Sequence, residues 1–187
     1  MKDNLNIKGT VFLKLEKKDG SVVNKTIENI IVNTGKEFFA KQIFNDPTAG
    51  TVTQIGIGRD YTTQVVGNTI ASFKVNTFNN ILSPQGPIIK NIESFNSSIE
   101  TIGGIKNQID FVTTFYDTAA DTLLDAGLNK HEIKELALIG LSGDSPQEDV
   151  LLCRTTFGTG DDSPPQRVGF DKATTDVVTV TWRLTIN

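Results

Sequence analysis

The chain has 187 residues, of which 37% are hydrophobic and 21% charged, and its formal net charge is −4 at pH 7. This length and composition are typical of one folded domain, so we expect a single domain over residues 1–187. No run of basic residues exceeds Lys17-Lys18, which argues against nucleic acid as a partner. The single cysteine cannot form a disulfide within the chain, and no segment resembles a signal peptide or a membrane span. We therefore expect synthesis in the cytoplasm and no membrane contact.

Alternating apolar and polar residues predict β-strands at both ends of the chain. Residues 7–16 alternate, Asp19-Gly20 then predicts a turn, and a second strand is expected over 21–27. The last thirteen residues, 175–187, alternate almost without fault and include the only tryptophan, Trp182. We expect this C-terminal strand to lie within a sheet and to bury Trp182.

One substantial helix is predicted after the hairpin. Thr34 precedes Glu37 by three residues, which is the spacing of a capping box, and apolar residues follow over 38–44. The segment Asn45-Asp46-Pro47 is expected to end this helix. Residues 119–128 fit either a helical turn or a loop.

The remaining alternation predicts a mainly β fold. Residues 133–141 are apolar on both faces, as in a central strand covered from both sides, although a short buried helix has the same pattern. A long polar loop is expected over 158–167. We predict an antiparallel β-sandwich or jelly-roll-like fold with one short α-helix. The other predicted strands are 51–58, 69–76, 105–117 and 150–157, with a weaker one over 92–100. The predicted core includes Val11, Leu13, Phe39, Ile57, Phe111, Leu138, Phe157 and Trp182.

Two patterns resemble hydrolase motifs but lack essential residues. His131 and Glu132 begin like a zinc-protease helix, but Glu135 stands where the second histidine would be, and the chain has no other histidine. Ser142 lies in a Gly-Leu-Ser-Gly segment that is similar to a nucleophile elbow, but its last glycine is displaced and the only imidazole precedes it. We therefore predict no catalytic residue and no metal site.

Three further candidates favour structural interpretations. Cys153 is expected to share a face with Leu151 and Phe157, which is typical of a buried inert thiol. The Gly56-Ile57-Gly58 segment lacks the third glycine of a dinucleotide fingerprint, so a glycine-containing strand is favoured and no cofactor is expected. The acidic loops 144–149 and 161–162 lack the alternating spacing of a calcium loop; solvated loops are favoured, and a bound ion stays an open alternative.

Five segments together resemble a widespread type of structural protein of tailed bacteriophages. The resemblance extends from about Ile7 to the end of the chain and implies a β-sandwich that serves as a non-enzymatic virion component. It implies a place in the tail, neck, baseplate or fibre attachment, with copies of itself and other virion proteins as partners. The segments are Asn33–Gln42, Ile55–Gly58, Ile133–Leu138, Leu152–Phe157 and Val178–Trp182.

A second class of function remains as an alternative. A β-sandwich can act as a carbohydrate-binding or receptor-binding module of a phage fibre, with a host-surface glycan as partner. Sugar sites expose aromatic side chains for stacking, and the polar-tipped candidates are Tyr61 and Tyr116.

Overall fold

The described part of the chain is built almost entirely from strands. The computed structural model describes residues 6–58, 67, 69, 87–96, 107–117, 130–156 and 170–186. Within these ranges the elements are β1 (Ile7–Glu16), β2 (Val22–Ile31), α1 (Asn33–Ile43), β3 (Thr51–Gly58), β4 (Ile88–Asn91), β5 (Ser94–Asn96), β6 (Gln108–Phe115), β7 (Lys130–Ile133), β8 (Glu135–Leu141), β9 (Asp149–Thr156), β10 (Phe170–Ala173) and β11 (Val177–Ile186).

Nine of these strands form one antiparallel sheet that curls back on itself. Its order is β4-β3-β8-β9-β2-β1-β11-β6-β5, while β7 pairs with β10 separately. The edge strands β4 and β5 are consecutive in the chain, with only Ile92 and Glu93 between them. Ile92 N–H donates to the Thr53 carbonyl at 2.9 Å, and Glu93 N–H donates to the Val112 carbonyl at 2.8 Å. The segment 88–96 therefore joins the two edges of the sheet. The mainly β class with one helix is confirmed, whereas this curled sheet does not confirm a sandwich or jelly roll.

The C-terminal strand lies inside the sheet, as predicted. β11 pairs with β1 on one side and with β6 on the other, so that Trp182 lies between Val11 and Phe111. Its inward-facing residues join the main core, and Trp182 is fully buried. The N-terminal hairpin is also confirmed, and Gly20 supplies the positive φ of its turn.

Strand β8 is covered on both faces, as its apolar run predicts. Leu136 and Leu138 belong to the main core. Ala137 and Ile139 point to the other face and join a second buried cluster with Leu151. Because β8 pairs with β3 and β9, it is a central strand of the sheet, and the alternative of a short helix is wrong.

The predicted capping box at the start of α1 is wrong. The N-cap residue is Val32, which has no side chain that could cap, and the Thr34 hydroxyl instead donates to the Leu151 carbonyl at 2.6 Å. The hydroxyl binds outside the helix because β9 lies directly beside α1. A Cβ atom on Gly35 would lie 2.0 Å from the Leu152 carbonyl oxygen, so this close packing requires glycine. The helix ends at Ile43, close to the predicted end, and Asn45 then adopts a positive φ.

The other sequence predictions divide into those confirmed and those outside the described ranges. The predicted strands 51–58, 105–117 and 150–157 correspond to β3, β6 and β9, and the weak candidate contains β5. Apart from Thr69, the predictions for 69–76, 119–128 and 158–167, and those for Tyr61 and Phe157, lie outside the described residues. The confirmed core residues are Val11, Leu13, Phe39, Ile57, Phe111, Leu138 and Trp182.

Candidate functional site

Cys153 is buried in β9, but on a different face from the one predicted. It lies opposite Leu138, whereas Leu151 lies opposite Ile139, because the pairing register shifts by one residue between these positions. Leu151 and Cys153 therefore point to opposite faces of the sheet, and the predicted shared face is wrong. Burial raises the pKa of the Cys153 thiol, and a hydrogen bond with the Asn29 side chain offsets this only in part. A thiol that stays protonated at neutral pH is a poor nucleophile.

The two hydrolase-like patterns are not brought together by the fold. His131 lies in β7, opposite Lys172 of β10. Ser142 follows the opposite end of β8, so the length of this strand separates it from β7. The seven residues of β8 span about 23 Å. The Ser142 hydroxyl accepts a hydrogen bond from Glu148 N–H at 2.8 Å, and Ser142 N–H donates to the Glu148 carbonyl at 2.8 Å. The serine thus holds its own loop together.

The acidic loop after β8 is solvated, as favoured from the sequence. Asp144 forms an ion pair with Lys41 of α1, with 3.3 Å between Nζ and Oδ2. Within the described ranges, no group of three or more His, Cys, Asp or Glu side chains is placed to hold a metal ion. The second acidic loop, 161–162, lies outside the described residues.

The strand next to β3 carries one member of a buried ion pair. Gly56 and Gly58 lie within a strand, opposite Ala137 and Glu135. Arg154 donates to Glu135 Oε2 from Nε at 3.1 Å and from Nη2 at 2.9 Å. Both side chains are buried, at 0% exposure for Glu135 and 1% for Arg154. The sequence analysis did not identify this pair. Arg154 lies among the apolar residues of β9, and a charged residue in such a strand indicates a buried ion pair.

The open end of the curled sheet, beside α1, forms a largely apolar cavity of about 500 Å³. We call it the helix-end cavity. Its walls continue the inward-facing rows of β1, β6 and β11, and α1 contributes Phe38 and Phe39. Among the described residues, none of those that line it is charged. The lining residues are Ile7, Phe38, Phe39, Gln42, Ile43, Gly50, Thr51, Val52, Phe95, Asn107, Gln108, Ile109, Phe111, Leu184 and Ile186.

A second groove, of about 610 Å³, opens where β1 and β2 diverge. Their pairing stops at Gly9 and Asn29, and the groove continues along α1 to Phe44, which is strongly exposed. Charges of both signs line it, including Lys8, Lys36 and Glu28. Sequence periodicity could not indicate either concavity because each is assembled from several elements.

Comparison with known proteins gives no match: no family model, no curated protein and no solved structure is similar to this chain. No helix in the described ranges is long and apolar enough to cross a membrane.

Proposed function

We propose that this chain is a non-enzymatic structural component of a tailed-bacteriophage virion. It would lie in the tail, neck or baseplate region and assemble as a symmetric homo-oligomer that also contacts other virion proteins. The proposal rests on the five segments that resemble such proteins, and this resemblance carries no catalytic residue to this chain.

The observation that best supports the proposal is where these segments meet in the fold. Gly35 of the first segment packs on the backbone of Leu152 in the fourth. Gly58 of the second lies opposite Glu135 of the third, and Glu135 pairs with Arg154 of the fourth. These contacts are ones that maintain the fold, which supports a structural role for the residues of the resemblance. A rigid framework is what a symmetric assembly requires of its subunit.

The exposed apolar side chains favour assembly through the two ends of the strands. Val22, Val23 and Tyr116 lie at the end that carries the β1–β2 turn, as the strand registers show. At the helix end the exposed apolar residues are Ile43, Phe44, Phe95, Ile109 and Ile186. Since contiguous exposed apolar surface often marks an interaction site, both ends are candidate subunit contacts.

Purified particles test the proposal directly. We expect mass spectrometry to detect the chain in washed virions, and electron microscopy with a labelled antibody to locate it at the tail, neck or baseplate. Native mass spectrometry of the isolated chain should show a closed oligomer. Particles that lack the chain after complete assembly would contradict the proposal.

A carbohydrate-binding module of a phage fibre is the second candidate. It is favoured by Phe95, whose side chain is 58% exposed at the mouth of the helix-end cavity. Tyr116 is a weaker stacking platform, because Lys90 Nζ already lies 4.6 Å from its ring centroid. Binding of the isolated chain to a glycan array, lost in Phe95→Ala, would favour this candidate over the structural one.

A further inference from the structure

The groove between α1 and the diverging ends of β1 and β2, which we call the α1 groove, has two facing walls. The helix wall includes Lys36, Ala40 and Phe44, which are four residues apart and therefore share one side of the helix. The sheet wall consists of residues 6–10 and 28–31. The groove has a volume of about 610 Å³, within the range of clefts that hold ligands. It can therefore admit side chains of another protein chain.

Phe44 is an aromatic side chain that protrudes beside this groove. Its exposed fraction is 83%, the highest among the large hydrophobic side chains that are exposed in the described part of the chain. The residue is nonetheless held in place, because its N–H donates to the Ala40 carbonyl at 3.0 Å at the end of the helix. Moving an aromatic ring from water to an apolar surface is favourable, and Ile7 and Ile43 supply such surface in the groove. A protruding ring and a groove on one surface make that surface complementary to itself, as a two-fold contact requires.

The charges of the α1 groove also favour a second copy of the chain as the occupant. Lys8, Lys36 and Glu28 line the groove and are exposed. None of the three forms an ion pair within the part of the chain that the structure describes. Charges of one sign would favour a partner of the opposite sign, but here Lys36 lies on the helix wall and Glu28 on the sheet wall. A two-fold axis that sets the helix wall of one copy against the sheet wall of the other brings each Lys36 to a Glu28.

The end of the sheet that carries this groove is large enough for a stable contact. Within the described ranges, 13 residues line the α1 groove and 15 line the helix-end cavity, and Ile7 and Ile43 belong to both. The two concavities therefore form one continuous surface. A protein interface of standard size involves about 20–30 residues of each partner. A second copy would also cover Phe95, Ile109 and Ile186, which are at least one-third exposed at this end.

We propose that the α1 groove binds a second copy of this chain. A two-fold axis relates the copies, and the Phe44 ring of each copy enters the α1 groove of the other. Lys36 of each copy forms an ion pair with Glu28 of the other. This inference rests on the homo-oligomer of the proposed function and identifies the surface that joins its copies, but it does not require a place in a virion.

Sedimentation of the full chain at micromolar concentration tests the contact. We expect the parent chain to be a dimer, and Phe44→Ala to weaken the dimer by at least about thirtyfold, because each copy loses an aromatic anchor. Since Phe44 is exposed, the far-ultraviolet circular dichroism of the variant should not change. Val22→Ala is the matched control at the opposite end of the sheet, where Val22 is 48% exposed, and it should leave the dimer unchanged. A monomeric parent chain, an oligomer with an odd number of copies, or equal effects of the two variants would overturn the proposal.

Exchanging the two charges tests the orientation of the copies. Lys36→Glu and Glu28→Lys should each weaken the dimer by about tenfold, because each sets like charges against one another twice across the axis. The double variant should recover the affinity of the parent chain to within about threefold. Lys18→Glu, in the β1–β2 turn at the opposite end, changes the net charge as Lys36→Glu does and should have no effect. If the double variant bound no more tightly than the single ones, the proposed pairing would be wrong.

The results also separate this inference from the proposed function. If the parent chain forms an oligomer that Phe44→Ala leaves intact, the copies meet elsewhere, so the inference fails while the homo-oligomer stands. If washed virions lack the chain but the parent dimer depends on Phe44, the place in a virion fails while the inference stands.

Discussion

Removing one member of the Glu135–Arg154 pair should destabilise the fold more than any exposed ion pair could. The two side chains are at most 1% exposed, and two nitrogens of Arg154 contact the same carboxylate oxygen. In Glu135→Gln, the buried guanidinium loses the charge of Glu135. Breaking such a buried pair costs about 3–5 kcal/mol. We expect Glu135→Gln and Arg154→Met each to lower the free energy of unfolding by this amount.

Urea unfolding of the parent chain and four variants measures the effect and separates it from a general loss of charge. The double variant Glu135→Leu/Arg154→Met removes both ions, so it should be more stable than either single variant. Lys14→Met is the matched control, because Lys14 and Glu16 form a 2.9 Å ion pair on β1 whose side chains are 49% and 45% exposed. Such an exposed pair contributes about 0–1 kcal/mol. Single variants at Glu135 and Arg154 no less stable than Lys14→Met would refute the reasoning.

Three further predictions concern the core, the helix start and the thiol. Trp182→Ala should lower the free energy of unfolding by about 3–5 kcal/mol through lost burial and a cavity; an unchanged urea midpoint would show that β11 is not central. Thr34→Val should lower the free energy of unfolding by about 1 kcal/mol because the Leu151 carbonyl loses its donor, whereas Glu37→Ala should lower it little. If thermal melts showed the reverse order, a capping box between Thr34 and Glu37 would explain the result better. Folding raises the pKa of Cys153 above its ordinary 9.0, so the native chain keeps a proton that the unfolded chain releases. Stability should therefore fall as pH rises above 9, by up to about 1.4 kcal/mol per pH unit, and less steeply in Cys153→Ala.

The elements with one buried face could be predicted from the sequence. β1, β6 and β11 alternate because each has one row of side chains in the core, and a shift of one residue would expose that row. β8 was recognised by its apolar run, since both of its faces are covered. In all four strands the cause of the pattern lies within the strand itself.

Features that depend on distant residues could not be predicted. The Thr34 hydroxyl had a local role open to it, but the Leu151 carbonyl, 117 residues further along the chain, takes its hydrogen bond. The face of Cys153 was wrong because a register shift interrupts the alternation between β8 and β9. The closing strands β4 and β5 have only four and three residues, which is too short for periodicity to be visible.

The candidate cavity was hidden from the sequence for the same reason. Ile109 and Ile186 continue the alternation that places Phe111 and Trp182 in the core. Alternation cannot show, however, that the end of the sheet leaves them at least one-third exposed.

The framework and the cavity lie in different parts of the sheet, which has a consequence for mutational tests. The Glu135–Arg154 pair lies in β8 and β9, whereas Phe95 lies in β5, a strand with only three pairs to β6. Short edge strands contribute little to global stability, so Phe95 can be exposed without weakening the fold.

Additional contacts hold the joining segment near this strand. Thr113 Oγ1 donates to the Asn91 carbonyl at 3.3 Å, and the Glu93 carboxylate accepts from Thr114 N–H at 3.1 Å. Glu93→Ala should therefore loosen the segment 88–96 and increase amide hydrogen exchange in β4 and β5, while exchange in β8 and β9 stays unchanged. Hydrogen exchange with mass spectrometry measures both pairs of strands in one experiment. Equal increases in all four strands would show that the segment 88–96 unfolds together with β8 and β9, and Phe95 could then not be altered independently of the fold.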